Sequence, residues 1–382
     1  PDFATDGLAI INLIGSNKQA PEHINGIGCD AEDRIVFGGE HGSQNKGSPV
    51  GRGYIARLTT AGVRDADFGD DGVRNFQVSD AQVTTSYGDT RVLADGGALW
   101  TGLSWIKGFA GDSGLVTVVK VDADGEFDTT FDEDGMASVK VADLAGDLNC
   151  SNSGIMPLGD GGLLVASRVY YSLDGDLAPA LVFTRFAADG SLVTAAGGDG
   201  FVTYTDNTMS LGLRCLAIDD RAGQPRIACI GGNRRGDLHV AVVDDEGALV
   251  TDFADGGRFT AQYPLATLDR IDGQRRDAAG RLLIWGAAET TSARFPAVAR
   301  MTSAGRLDTS FAGDGVWVSE EWPGPVQDLV EDPDGGLLVA LGREGDLVEG
   351  AAVALAENRL AARQVIDPAV EGQPVVFLAD FR

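Results

Sequence analysis

Apolar and polar positions along this chain do not settle into the 3.6-residue period of an amphipathic helix. They come as short runs, rich in β-branched and aromatic residues and cut off by Gly, Asp or Pro, which is how strands announce themselves. The runs recur in sets of four. One set is Thr90–Ala94, Ala98–Leu103, Leu115–Val121 and Met136–Val141; the next is Gly154–Leu158, Leu163–Ser167, Leu181–Phe186 and Phe201–Thr205. A later set is Ile271–Arg275, Leu282–Gly286, Ala297–Met301 and Gly315–Ser319. Asp-Gly-Gly joins first to second run at Asp95–Gly97, Asp160–Gly162 and Asp334–Gly336, supplying the positive φ angles a tight reversal needs. Only Arg359–Gln364 has helical composition, so almost no helix is expected.

Between third and fourth runs the chain keeps rewriting one stretch. Ala304–Gly315 (AGRLDTSFAGDG) returns at Ala61–Gly72, Asp124–Gly135, Asp189–Gly200 and Glu246–Gly257, with a truncated copy at Pro1–Gly7. Its aromatic (Phe3, Phe68, Phe131, Phe253, Phe311, with Ala196 in the weak copy) is expected to plug the space between neighbouring units. The copies lie about 60 residues apart, somewhat longer than the period of a propeller blade. Arg57, Lys120, Arg185 and Arg300 share one third-run position, which predicts partly buried ion pairs with the Asp of a neighbouring turn and no role toward substrate.

Four antiparallel strands per unit, repeated about six times, predict an all-β fold: a six-bladed β-propeller of four-stranded antiparallel blades, one domain over residues 1–382. The last unit offers Val326–Val330, Leu337–Leu341 and Ala351–Ala356 but no clear fourth strand. Gly7–Ile14 reads as a fourth strand, so the N-terminal strand is expected to close the ring. Residues 366–382 then form a C-terminal tail or an extra edge strand, and Gln373–Ala379 competes for the closing place.

The units resemble the delta-60 repeat family of bacterial tandem repeats, whose core reads Asp-Gly-Ser-Leu-Asp-Thr-Ser-Phe-Gly. The match is best at Gly305–Gly315 and Gly125–Gly135, degraded at Gly190–Gly200 and lost at Asn358–Asp367. The resemblance implies a propeller-like surface or secreted protein. It carries no catalytic residue over.

Composition narrows the partners. The 382 residues carry a formal net charge of -27, which sets the chain against nucleic acid and anionic membrane surfaces and leaves a cation or a basic partner as the electrostatic fit. No apolar run approaches the ~18 residues of a membrane span, so no membrane insertion is expected. The chain opens inside a repeat copy, which reads as a processed or trimmed end. Four cysteines suit one or two bridges outside the cytoplasm or inert thiols inside it. Cys215 and Cys229 flank the Asp219–Pro225 turn symmetrically, so a disulfide between them is expected; a Cys150–Cys215 bridge is the alternative.

Recognisable catalytic motifs are absent. His239 reads as a satisfied strand residue, and His23 and His41 fall in expected loops without paired metal-ligand spacing. Gly51–Ala56 mimics a dinucleotide fingerprint, but a strand follows it where a helix is needed. No cofactor is predicted. The acidic clusters Asp122–Gly125 and Asp132–Gly135 invite calcium, but the Gly comes too early for a calcium hand, and Asp accepting backbone hydrogen bonds is the simpler account.

The loops between second and third strands, Gly38–Gly53, Gly102–Gly114, Ser167–Pro179 and Gly286–Pro296, are the long and irregular ones. On a regular scaffold such a face is where a ligand is placed. It gathers His41, Trp105, Phe109, Tyr170, Tyr171, Arg234, Arg235, Phe295 and Trp322, a recognition composition of aromatics beside Arg. The reading is a monomeric binding and scaffold propeller, periplasmic or extracellular, for a protein or carbohydrate ligand. The alternative is a metal-assisted hydrolase or lyase with its site at the channel mouth.

Overall fold

The computed structural model describes residues 9, 11, 22–42, 51–77, 86–106, 113–140, 149–173, 176–194, 199–204, 211–219, 226–232, 237–262, 267–289, 294–319, 324–331, 337–341, 350–356 and 359–366. Within them every regular element is a strand, and the strands pair in chain order into four-stranded antiparallel sheets. By contacts they fall into two compact units that divide between Asp206 and Asn207.

The first unit holds β1 (Glu22–Cys29), β2 (Ile35–Gly42), β3 (Gly51–Leu58) and β4 (Val73–Phe76), then β5 (Ser86–Val92), β6 (Ala98–Ile106), β7 (Ser113–Val121) and β8 (Met136–Lys140). Its third sheet is β9 (Asn149–Pro157), β10 (Leu163–Leu173), β11 (Asp176–Phe186) and β12 (Phe201–Tyr204). The second unit holds β13 (Leu211–Asp219), β14 (Arg226–Gly232), β15 (Asp237–Val243) and β16 (Arg258–Gln262), then β17 (Thr267–Arg276), β18 (Leu282–Glu289), β19 (Arg294–Met301) and β20 (Val316–Val318). Its last sheet is β21 (Val326–Glu331), β22 (Leu337–Leu341), β23 (Gly350–Ala356) and β24 (Arg359–Ile366). These meanders are the blades of a β-propeller.

The repeated stretch joins third strand to fourth, and its Phe lies between consecutive sheets. Phe68 packs with Val36 and Ile55 of the first sheet and Trp100 and Val119 of the second. Phe131 stands between Val118 and Ile155, Phe253 between Val240 and Ile271, and Phe311 between Trp285 and Leu329. The turns also bond to one another: Gly69 N–H donates to Asp124 O at 2.7 Å, Asp132 N–H to Asp189 O at 2.7 Å, and Ala254 N–H to Ala304 O at 3.1 Å. This contact requires glycine. At Gly125, φ is +76°, and a Cβ would lie 2.7 Å from Gly69 N and 2.9 Å from the Phe68 ring.

The shared third-strand cation does what its recurrence predicts in three sheets. Arg57 Nε donates to Asp65 at 2.7 Å, Lys120 Nζ sits 2.9 Å from Asp128, and Arg300 Nε donates to Asp308 at 2.8 Å. Each cation also stands over its sheet's Phe, at 4.6 Å for Arg57, 6.0 Å for Lys120 and 4.7 Å for Arg300. The other two sheets that carry the repeat show the rule by departing from it. Val193 replaces the Asp opposite Arg185, and that guanidinium turns to Asp160 at 2.6 Å. In the fourth sheet both members are apolar, Val242 facing Val250, and only the backbone bond between them (2.9 Å) survives.

Three expectations are corrected. The N-terminal strand does not close the last sheet: β24 takes the place beside β23, with Ala351 opposite Val365 and Ala356 opposite Arg359. Of Gly7–Ile14 the described residues are Ala9 and Ile11, and they pack against the first sheet, beside Phe37, Tyr54 and Leu58. Residues 359–364 are therefore strand, not helix, because the open edge of β23 supplies hydrogen bonds that a lone helical turn cannot match. In place of the six blades expected, five sheets carry the repeat; β21–β24 is a plain meander without it. Gln373–Ala379 lies outside the described residues.

Candidate functional site

In an antiparallel meander the first-to-second and third-to-fourth turns share one end of the sheet, and the second-to-third hairpin leaves from the other. Because the third-to-fourth turns of neighbouring sheets bond together in the first unit, its hairpins gather on the opposite rim. That rim is more regular than the sequence suggests. Strand pairing runs out to Gly42 opposite Gly51, Ile106 opposite Ser113, and Leu173 opposite Asp176. Over their described residues these stretches are thus extended hairpins.

Among the described residues the β10–β11 hairpin has the longest paired ladder. Its register is unbroken from Leu163–Phe186 to Leu173–Asp176. On one side β12 covers β11 only over Leu181–Thr184; on the other β9 reaches no further than Asn149 opposite Tyr170. Tyr171, Ser172 and Leu173, with Asp176–Ala178 opposite, therefore extend beyond both neighbours. Ser167–Pro179 reads as a loop in the sequence, yet Asp174-Gly175 is a strong two-residue hairpin signal that would have found the turn. Pro179 near the tip offers no N–H to a chance strand partner, which blunts the open edge of β11.

Tyr170 and Tyr171 occupy consecutive positions of this hairpin, opposite Pro179 and Ala178, and so belong to opposite faces of it. Trp105 stands on β6 opposite Gly114. His41 lies on β2 opposite Glu22 and Arg52, and His23 on β1 opposite Glu40, so both are strand residues where loops were expected. His239 is buried, its Nδ1 3.0 Å from Thr260 Oγ1, in keeping with a satisfied strand residue. Phe109, Arg234, Arg235 and Trp322 lie outside the described residues.

In the second unit Phe295 is half-buried on β19, opposite Ala288 and beside the Glu289–Arg294 pair at the hairpin end. Ser319 N–H donates to Pro296 O at 3.2 Å and Gly324 N–H to Arg294 O at 2.8 Å. The chain on either side of Trp322 is thereby tied to the hairpin that carries Phe295.

The acidic turns hold their own backbone. Asp122 Oδ1 accepts the N–H of Asp124 and Glu126 at 3.0 and 2.9 Å, and Asp134 Oδ1 accepts that of Met136 at 2.9 Å. Among the described residues no three His, Cys, Asp or Glu side chains are arranged to hold a metal, and no helix is long and apolar enough to cross a membrane. Asp132 differs from the other turn carboxylates. Although the side chain is exposed, partial desolvation and then the charges of Asp134, Glu133 and Asp189 raise its carboxyl above the usual range. A raised acid stabilises the fold below its ordinary titration range and loses that contribution as pH rises through the folded value. Asp132→Asn, at a φ of 49° that Asn tolerates, is expected to raise stability at pH 7 by about 0.5 kcal/mol. The gain should vanish once the carboxyl is protonated. Urea midpoints at neutral and acid pH measure both, and an equal gain at both would refute the electrostatic cause.

No protein-family model and no curated protein matches the chain. Among solved structures, the β-propeller domain of the Trilobed protease from Pyrococcus furiosus is 10% identical, with 91% of this chain and 84% of that one covered and a TM-score of 0.40. Polysaccharide lyase Uly1 is 11% identical over 91% of this chain and 77% of that one, with a TM-score of 0.45. Sqt1 from Chaetomium thermophilum is 11% identical over 90% and 72%, at 0.41. At these values the likenesses assign neither an activity nor a ligand to this chain.

Proposed function

We propose that this protein is a delta-60 repeat propeller of the periplasm or cell exterior that binds a protein or glycan ligand on the rim of its second-to-third-strand hairpins. The observation that carries this reading is the β10–β11 hairpin, which extends Tyr171–Leu173 and Asp176–Ala178 beyond its neighbouring strands. A meander needs no such extension to fill its core. Aromatics placed on a rigid ladder offer contact area at small entropic cost, whereas flexible loops must be ordered on binding. The -27 net charge selects a neutral or basic ligand, since an acidic one would be repelled during approach.

The test shortens the hairpin by replacing residues 170–179 with Asn-Gly, so that the register pair Val169–Ala180 flanks the new turn. Both residues are buried and stay in place, so the sheet keeps its core. Wild type and variant are applied to a glycan array of neutral and basic sugars and to a displayed peptide library. Ligands retained by the wild type should fall at least tenfold in affinity for the variant. Equal binding by the two proteins, or no ligand retained by the wild type on either platform, would overturn the reading.

A further inference from the structure

We infer that Cys215 and Cys229 form a cross-strand disulfide that clamps β13 onto β14. The two residues are direct register partners, so their Cβ atoms lie on one face of the sheet. Directly opposed antiparallel positions have Cα separations of about 4.5–5.5 Å, within the range of about 4.4–6.8 Å that a disulfide spans.

The surrounding pairing gives the bridge a role. β13 is the edge strand of its sheet. Its register with β14 shifts between Leu211 and Arg214 and again between Ala217 and Asp219, leaving Arg214–Ala217 as the regular stretch. Cys215 sits inside that stretch. β14, in contrast, pairs with β15 without a break from Ile227 to Gly232. A covalent tie at Cys215 thus holds a weakly registered edge strand to a well-registered central one, and prevents a one-residue slip that would turn β13 over.

The bond forms by thiol–disulfide exchange with a small-molecule disulfide such as oxidised glutathione. One cysteine thiolate attacks that disulfide, forming a mixed disulfide and releasing one glutathione thiolate. The second cysteine thiolate then attacks the protein-side sulfur and releases the other. Two protein thiols and one glutathione disulfide become one protein disulfide and two glutathione thiols.

The experiment uses the full wild-type chain, incubated folded with oxidised glutathione, then alkylated in denaturant and digested with trypsin without reductant. Cleavage after Arg214, Arg221, Arg226 and Arg234 places the cysteines in separate peptides, Cys215–Arg221 and Ile227–Arg234. A linked species of these two, abolished by reductant, is the expected product. Oxidation should also raise Tm by a few °C, with no shift in the Cys215→Ser, Cys229→Ser double variant. Full alkylation of both peptides, glutathione left on either cysteine, or a link from either to the peptide containing Cys150 would each overturn the proposal.

Discussion

Arg57→Ala is expected to destabilise the first unit by about 3–5 kcal/mol, because it breaks a buried pair from one side only. Arg57 is 2% exposed and Asp65 10%. Arg57 holds Asp65 and also donates through Nη1 to Ala123 O on the neighbouring sheet. Removing it leaves Asp65 only Arg34, 3.8 Å away, and the Asp67 N–H at 3.3 Å, takes the Arg57 donor from the Ala123 carbonyl, and strips the guanidinium from above the Phe68 ring. The protein itself supplies the control. At the matching positions of the fourth sheet stand Val242 and Val250, bonded through the backbone alone. The double variant Arg57→Val, Asp65→Val should therefore recover stability to within about 1 kcal/mol of wild type, as apolar replacement of both members of a buried pair often does. Urea unfolding of both single variants and the double closes a mutant cycle. A loss below about 1 kcal/mol in Arg57→Ala would show that the pair is well solvated and not a latch.

Phe131→Ala is the second large effect, with an expected loss of about 3–5 kcal/mol for emptying a fully buried aromatic site. Phe131 is 1% exposed and packs with Val116 and Val118 on its own sheet and with Ile155, Val165 and Val182 on the next. Its backbone is fixed on both sides: Phe131 N–H donates to Asp128 O, and Gly135 N–H donates to Phe131 O. The turn cannot collapse into the vacancy without losing those bonds, so the cavity persists. Two sheets share this ring. Hydrogen exchange should accordingly show lost protection in β5–β8 and in β9–β12 together, since neighbouring blades that share a core open as a unit. Loss of protection confined to the loop between β7 and β8 would mean that the Phe caps its own sheet and does not join it to the next.

Much of this architecture is legible in the residues alone. Many strands lie beside Gly, Asp or Pro, and the recurrence of one Phe and one basic residue forecasts both the inter-sheet plug and the ion pair beside it. The Cys215–Cys229 register was readable too from their even spacing about the Asp219–Pro225 stretch, and the shift between Ala217 and Asp219 does not displace it. The candidate rim was legible in position but not in form. Aromatics near Ser167–Pro179 drew attention to it, while polar Ser, Asp and Tyr concealed that the stretch is strand up to Leu173 and again from Asp176. Strands that run past their neighbours bury little, so they lack the alternation that betrays a strand lying over a core.

By itself, then, the sequence determined the strand order within the sheets that carry the repeat, the turn chemistry and the repeating ion pair. All are set by contacts between residues close in the chain or at equivalent places in successive repeats. Only the tertiary structure decided which segment completes the last sheet, where Arg185 finds an acid, and how far β10 and β11 extend. In each case several segments or side chains of similar local character compete for one partner. Arg359–Ile366 prevails beside β23 because it follows β23 closely and can pair along nearly its whole length, a saving in chain entropy that composition does not record. Arg185, facing Val193 where its counterparts face Asp, reaches Asp160 because the first-to-second-strand turn brings that carboxylate within 2.6 Å. Such choices depend on distances across the fold, and a linear pattern does not encode them.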